Sequence, residues 1–343
     1  MAPILDASSR ILICRTDNIG DLVQTLPLAG FLKTHIPGIR VDFLVRDYTL
    51  PVVELSRFVD QVFRVESIAD PEQFFRAVNW TAVIFAWPQR LLSQAAKRAK
   101  IPHRVGHSKL IHHWISCNRL AHFSRSRPPR HEAQINFAYL RPLGVAVEPD
   151  LHSILPWYGL QAKANAAVDA CARDGVFHLI LHTQSGGNGR EWPLNHYLEL
   201  AQLLATRRDT VLWVTGSARE GDYLCQHMPA LLEIPNVVNL CGRFDLGGLA
   251  SLIARADGLI ASGTGPLHLA AALGTRTLGL FPTARQVSAI RWGALGARAQ
   301  NLVTDMPCKS CPGMNDCKCM RQITPQQVMR VVSEWQSAWR GEM

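Results

Sequence analysis

Along the chain, short apolar runs rich in β-branched residues alternate with longer stretches whose apolar positions return at helical spacing. The first series of runs falls at Ile11–Cys14, Val41–Val45, Gln61–Val65 and Ala82–Ala86, with a short one at Arg104–Gly106. Helical patterns fill the gaps, at Leu22–His35 and Leu91–Ala99. A second series falls at 177–182, 210–216, 236–242, 256–263 and 275–281, separated by helical patterns at Leu194–Arg207, Leu246–Arg255 and Leu267–Leu273. Alternation of this kind predicts parallel sheets covered by helices on both faces. Between the series, "RPLGVAVEPDLHSILPWYGLQ" (141–161) is rich in proline and glycine and follows neither period, so it reads as an interdomain crossover and the place for a hinge. At 343 residues the chain is too long for one ordinary core. The expected fold is α/β, with two doubly wound domains over 1–150 and 151–324. A terminal helix over 325–343, opened by Thr324 and Pro325, is expected to pack across both. Ligands in such sheets sit outside the carboxyl ends of the strands, so a cleft between the domains is the expected active site.

Composition narrows the class. Hydrophobic residues make up 48% and charged residues 18%, the balance of a folded soluble protein. No apolar run is long enough to span a bilayer, and "MAPILDASSRILIC" lacks a basic region followed by a long apolar core, so the expected compartment is the cytoplasm. The net charge of +9 is unevenly spread: no acid occurs between Glu72 and Glu132, while that stretch carries Arg76, Arg90, Lys97, Arg98, Lys100, Arg104, Lys109, Arg119, Arg125, Arg127 and Arg130. A solvated basic face is the plain reading; a field of one sign also draws anionic partners. Nucleic acid is disfavoured, because no RNA-binding signature, zinc finger or basic heptad helix is present. An anionic small molecule or an anionic lipid surface suits the pattern better. Nine cysteines in a cytosolic-type sequence argue against a disulfide framework.

Four segments carry candidate chemistry. In "HTQSGGNGREWPLNHY" (182–197) a strand end runs through three glycines and Arg190 into a helix, a layout in which backbone N–H groups and a planar guanidinium can hold phosphate. In "ASGTGPLHLAAAL" (261–273) a second strand meets a Gly-rich turn and a helix N-terminus. There Thr264 can cap the helix or donate to a phosphate, and His268 either packs or faces the ligand. Neither turn matches the P-loop or the dinucleotide fingerprint; two such turns in one domain suit a diphosphate. In "RTDNIGDL" (15–22) a strand enters a glycine-marked turn with Asp17 and Asp21. A carboxylate there can take a proton from an attacking hydroxyl or simply cap the helix, and composition leaves both open. Finally, "CKSCPGMNDCKC" places Cys308, Cys311, Cys317 and Cys319 close together, either as a zinc site or as a folded loop of reduced thiols.

Together these segments resemble the ADP-heptose:lipopolysaccharide heptosyltransferases of glycosyltransferase family 9. The matching stretches are "ILICRTDNIGDLVQTLPLAGFLK", "HTQSGGNGREWPLNHYLELAQLL", "GLIASGTGPLHLAAALGTRTLGLF" and "CKSC…CKCMRQITPQQVM", in the family's order over roughly residues 10–335. The resemblance implies the GT-B fold, two Rossmann-like domains facing across a cleft, with acceptor on the first and sugar nucleotide on the second. It also implies inversion at the anomeric carbon with no metal or other cofactor. The family's base falls on Asp21, and its donor-phosphate contacts on Arg190, Thr264, Gly265 and His268, with hydroxyls at Thr183 and Ser185. Glu220 falls in the region of the ribose contact and Phe244 near the adenine edge. On the acceptor side, Asp17 and Gly20 flank the base, and Arg90, Arg104, Arg119 and Arg130 form a candidate patch for an anionic glycolipid of lipopolysaccharide-core type.

One departure matters. Many members have Asp immediately before the Thr-Gly, where this chain has Gly263, so the expected donor is ADP-L-glycero-D-manno-heptose or another nucleotide sugar. The partners implied are that nucleotide sugar, the glycolipid and an anionic membrane surface, with the protein peripheral on the inner face of the inner membrane. The rival readings are a GT-B enzyme with a different nucleotide-sugar donor and a catalytically silent nucleotide- or anion-binding protein.

Overall fold

The computed structural model describes residues 4–125, 129–187, 189–308 and 317–342. The chain divides into two compact units, Met1–Gln161 and Ala162–Met343. In the first, β1 (Arg10–Cys14), β2 (Arg40–Val45), β3 (Val62–Arg64), β4 (Ala82–Phe85), β5 (His103–His107) and β6 (Arg119–Ala121) form one parallel sheet in the order β3-β2-β1-β4-β5-β6. In the second, β7 (Phe177–His182), β8 (Thr210–Thr215), β9 (Val237–Asn239), β10 (Gly258–Ser262), β11 (Thr277–Phe281) and β12 (Ala299–Val303) run parallel in the order β12-β11-β10-β7-β8-β9. The central strands are buried along their length, which is why they appear in the sequence as unbroken apolar runs. β6 and β12 were not expected. They are edge strands of mixed polarity, "RLA" and "AQNLV", half open to solvent, so neither carries a strand-like apolar run.

The helix expected over Leu22–His35 is two helices, Ile19–Val23 and Pro27–His35. Pro27 has no N–H for the helical ladder and its ring collides with the preceding turn, so it begins a new helix. The stretch expected to be a crossover and hinge is instead packed within the first unit. The Tyr158 hydroxyl donates to Gln24 Oε1 at 2.7 Å, and the rings of Phe31 and Trp157 meet edge-on at 5.1 Å. Gly30 permits this approach: a Cβ there would lie 2.1 Å from the Trp157 carbonyl oxygen. Residues 151–161, expected with the second domain, thus belong to the first unit. The terminal helix, Pro325–Glu342, belongs to the second, where Val328, Val332 and Trp335 join Leu200 and Leu204 in the core. Gly258 admits it; a Cβ on β10 at that point would meet the Trp335 ring at 2.7 Å.

Strand order reverses once in each sheet, between β1 and β4 and between β7 and β10. At such a switch point the following loops diverge to opposite faces and leave a crevice at the carboxyl ends. The loops after β1 and β10, and the one after β7, are the segments singled out from the sequence.

Candidate active site

In the first unit the site is organised around Arg15, which follows β1 and is almost wholly buried. Its Nη1 donates to the Ala86 carbonyl, just past β4, at 2.7 Å, and its Nη2 donates to Asp21 Oδ1. Its Nε lies 2.9 Å from Asp17 Oδ1, an ion pair whose direction is wrong for a hydrogen bond. Two further links hold the turn: Gln89 Nε2 donates to Thr16 Oγ1 at 2.6 Å, and the Tyr48 hydroxyl donates to the Asp17 carbonyl at 2.8 Å. The N-cap position of the helix is Asn18, so neither aspartate is the cap. Asp21 lies in the first helical turn with 24% of its side chain open to solvent, whereas Asp17 beneath it is closed off. Gly20, expected to mark a turn, is instead a buried residue within the helix.

Burial is the largest influence on both carboxyl groups and raises them. For Asp21 it is opposed by the Arg15 cation and aided by Glu132. For Asp17 burial, opposed by Arg15 and aided by the charge on Asp21, pushes the group up to about 7. A carboxyl group raised in the folded state binds its proton more tightly there than in the unfolded chain. Its unfavourable contribution therefore grows as pH climbs from about 4 to about 7 and is fully present above that. Asp17→Asn should accordingly raise the melting temperature at pH 8 and change it little at pH 4; equal shifts at both pH values would contradict the assignment. Sequence reasoning passed over Arg15. The available signal was its position at a strand end, two and six residues before the carboxylates.

The four arginines proposed as an acceptor patch are mostly engaged in the fold. Arg104 Nε donates to the Ser116 carbonyl at 2.8 Å, Arg119 Nη1 to the Pro142 carbonyl at 3.1 Å, and Arg130 pairs with Glu148 at 3.0 Å. Arg90 alone of the four is exposed, at the start of the helix Arg90–Arg98. Arg125 pairs with the buried Glu132 at 3.0 Å, and Arg127 lies outside the described residues. The sign of the charge was legible in the sequence, but its pairing within the fold was not.

In the second unit, the loop after β7 closes on itself. Ser185 donates from both backbone N and Oγ to Glu191 Oε1, at 2.7 and 2.9 Å, and Gly189 N donates back to Ser185 Oγ at 3.2 Å. Ser185 is therefore a loop clasp, with Glu191 as the partner that sequence reasoning missed. Gly186 and Gly187 adopt φ of 57° and 81°, the left-handed region that glycine tolerates. Thr183 is buried at the strand end, and Arg190 sits half-buried beside the clasp.

This loop is tied to the one after β10. Trp192 N donates to Ser262 Oγ at 2.9 Å, and the Gly189 backbone lies so close to Gly263 that a Cβ would sit 2.3 Å from the Gly263 carbonyl oxygen. Thr264 occupies the N-cap position of the helix Gly265–Leu273 but makes no side-chain cap bond. The first intrahelical bond to Thr264 comes from His268 N, at 3.4 Å, so the amides of Gly265 and Leu267 precede the ladder. His268 is buried, its ring 5.9 Å from that of Trp292. A Cβ on Gly263 would meet the Phe281 ring at 2.9 Å. Gly263→Asp should therefore cost about 1–3 kcal/mol of stability by overpacking, and pairing it with Phe281→Leu should recover much of that in urea denaturation. No recovery in the double variant would contradict the assignment.

Around these loops, Glu220 closes a capping box: its Oε2 accepts from Ser217 N at 2.7 Å and from Ser217 Oγ at 2.9 Å. Gln184 Nε2 reaches the Glu220 carbonyl at 3.2 Å, which links the β8 loop to the β7 loop. Phe244 is half-buried against Gly248. Cys317 and Cys319 are buried in this unit's core with Cys308 at its margin, while Cys311 lies outside the described residues. Burial, together with the Cys317 and Cys308 thiols that hydrogen-bond to it, pushes Cys319 up to about 12. Among the described residues, no group of three or more His, Cys, Asp or Glu side chains is placed to hold a metal ion.

A family model described as glycosyltransferase family 9 (heptosyltransferase) matches residues 73–319. Lipopolysaccharide heptosyltransferase 1 of Pseudomonas aeruginosa is 29% identical over 322 residues, covering 88% of this chain and 86% of that protein. Among solved structures, a glycosyltransferase family 9 member from Veillonella parvula superposes with a TM-score of 0.77 at 19% identity, over 96% of this chain and 97% of that one. The E. coli heptosyltransferase WaaC with ADP superposes with a TM-score of 0.70 at 19% identity, over 95% and 99%. The fold is therefore GT-B, and the chain belongs to glycosyltransferase family 9, the heptosyltransferases.

Proposed function

We propose that this glycosyltransferase moves a heptose from ADP-L-glycero-D-manno-heptose to an anionic glycolipid of lipopolysaccharide-core type, with inversion and without a metal. The observation that carries the reading is the Arg15–Asp21 pair at the first switch point: a carboxylate fixed by a buried cation, raised by burial and still partly open to solvent. Asp21 takes the proton of the acceptor hydroxyl as that oxygen attacks the anomeric carbon from the face opposite the nucleotide. The bond from anomeric carbon to diphosphate breaks in the same step, and negative charge grows on the leaving group. Arg190 and the amides at Thr264–Gly265 stabilise that charge. The family match spans both donor loops, the Pseudomonas relative is named for lipopolysaccharide, and WaaC was solved with ADP.

Incubation with ADP-heptose and a de-acylated, phosphorylated core acceptor, with NMR of the product, tests each part. Transfer with inverted anomeric configuration, undiminished by EDTA, is expected; retained configuration or loss in EDTA overturns the mechanism. A reading that differs only in the donor sugar is favoured by one observation, the Phe281 ring packed so closely against Gly263 that a Cβ there would lie 2.9 Å from it. Faster transfer from another nucleotide sugar in the same assay would establish it.

A further inference from the structure

We propose that the helices Arg90–Arg98 and Ile111–Ser116 of the first unit form a docking surface that inserts into an anionic lipid bilayer; this rests on the glycolipid-acceptor reading above and gives it a location. The two helices pack on one another and present Leu91, Ile111, Trp114 and Ile115 outward, with 74%, 82%, 62% and 63% of their surfaces exposed. Among the described residues of the first unit, no other large apolar side chain exceeds 39%. Isolated exposed apolar residues are ordinary, but four clustered on neighbouring helices mark an interaction surface.

The chemistry of the cluster points to lipid. Trp114 donates its indole N–H to the Ser108 carbonyl at 2.7 Å, so its polar group is satisfied while the ring stands free to enter an apolar layer. Exposed cations surround the cluster at Arg90, Lys97, Lys100 and Lys109, and Lys97 Nζ donates to the Ile115 carbonyl at 2.8 Å. The carboxylate of the adjoining helix Pro71–Arg76, Glu72, is already held between Arg76 and Arg98. An apolar face rimmed by cations, with aromatic and branched side chains at its centre, is the pattern of an interfacial element on anionic lipid. A second copy of the chain is the weaker occupant, because a two-fold contact through this face sets like charges against each other.

The surface also lies where a lipid-linked acceptor needs it. Trp87 follows Ala86, whose carbonyl holds Arg15, and Gln89, bonded to Thr16, immediately precedes the first helix. β1, β4 and β5 are adjacent and parallel, and the helix Ile111–Ser116 follows β5. The docking helices therefore leave the same carboxyl edge that carries Asp21.

Flotation with vesicles tests the proposal. The wild type should bind phosphatidylglycerol–phosphatidylethanolamine vesicles, bind phosphatidylcholine vesicles far less, and keep part of its binding at high salt because insertion is not screened. Ile111→Ser with Ile115→Ser should lower partitioning at least about tenfold. It should leave the melting temperature and turnover of a detergent-dispersed acceptor unchanged, and turnover of a vesicle-embedded acceptor should fall in parallel with binding. Equal partitioning of wild type and variant would overturn the proposal, as would a dimer seen by light scattering that the variant dissolves. If the wild type transfers sugar to no acceptor in detergent while the variant still loses vesicle binding, the docking surface stands and the enzymatic reading fails.

Discussion

Asp21→Asn should lower kcat by ~10²–10⁴, the usual range for loss of a positioned general base, while ADP binding measured by calorimetry stays near the wild-type value. The amide keeps the size of the side chain and can still accept from Arg15 Nη2, so a fall in rate reports proton transfer rather than collapse of the turn. Near-normal turnover in this variant would remove Asp21 from the mechanism. The pH profile gives a second reading of the same residue. Because burial raises the carboxyl group, the acidic limb of kcat/KM should lie above the ordinary carboxylate range, with activity lost as pH falls through it. Arg15→Ala removes the cation that holds the group down, so that limb should move further up. The same change strands two largely buried carboxylates and should cost about 3–5 kcal/mol of stability, so Arg15→Lys, which keeps the charge, is the companion variant. An acidic limb that does not move in Arg15→Ala would show that the cation does not govern the base.

Arg190→Ala should reduce kcat by ~10²–10³, or ~3–4 kcal/mol in the barrier, and raise KM for the donor. Both effects are expected because a contact to the diphosphate acts in the ground state and strengthens as the leaving group gains charge. An unchanged donor KM together with unchanged kcat would place Arg190 outside the donor site. Glu191→Gln offers a control on the same loop. It weakens the clasp to Ser185 without touching the proposed phosphate contact, so its effect should fall mainly on donor binding.

Several features were legible from residue order. Ile11–Cys14, Ala82–Phe85 and the core of β7 and β10 are central strands covered on both faces, and such strands must be apolar throughout. The turns that follow β1, β7 and β10 were legible because glycine, a polar cluster and a helix start occur in fixed succession. β6 and β12 escaped because an edge strand needs no continuous apolar run. The break at Pro27 was written in the sequence but masked by the apolar periodicity on either side of it.

The sequence by itself determined the class of fold, the position of each candidate turn at a strand end, and the excess of positive charge in the first unit, since all three depend on local pattern or simple counting. Only the tertiary structure decided which groups those turns engage. Arg15 meets Ala86 across 71 residues, Trp192 meets Ser262 across 70, and Arg119 is consumed by Pro142. Hydrogen bonds and ion pairs of this kind are set by strand order at the switch points, where residues remote along the chain are brought to one edge. Local periodicity carries no record of which strand will lie beside which.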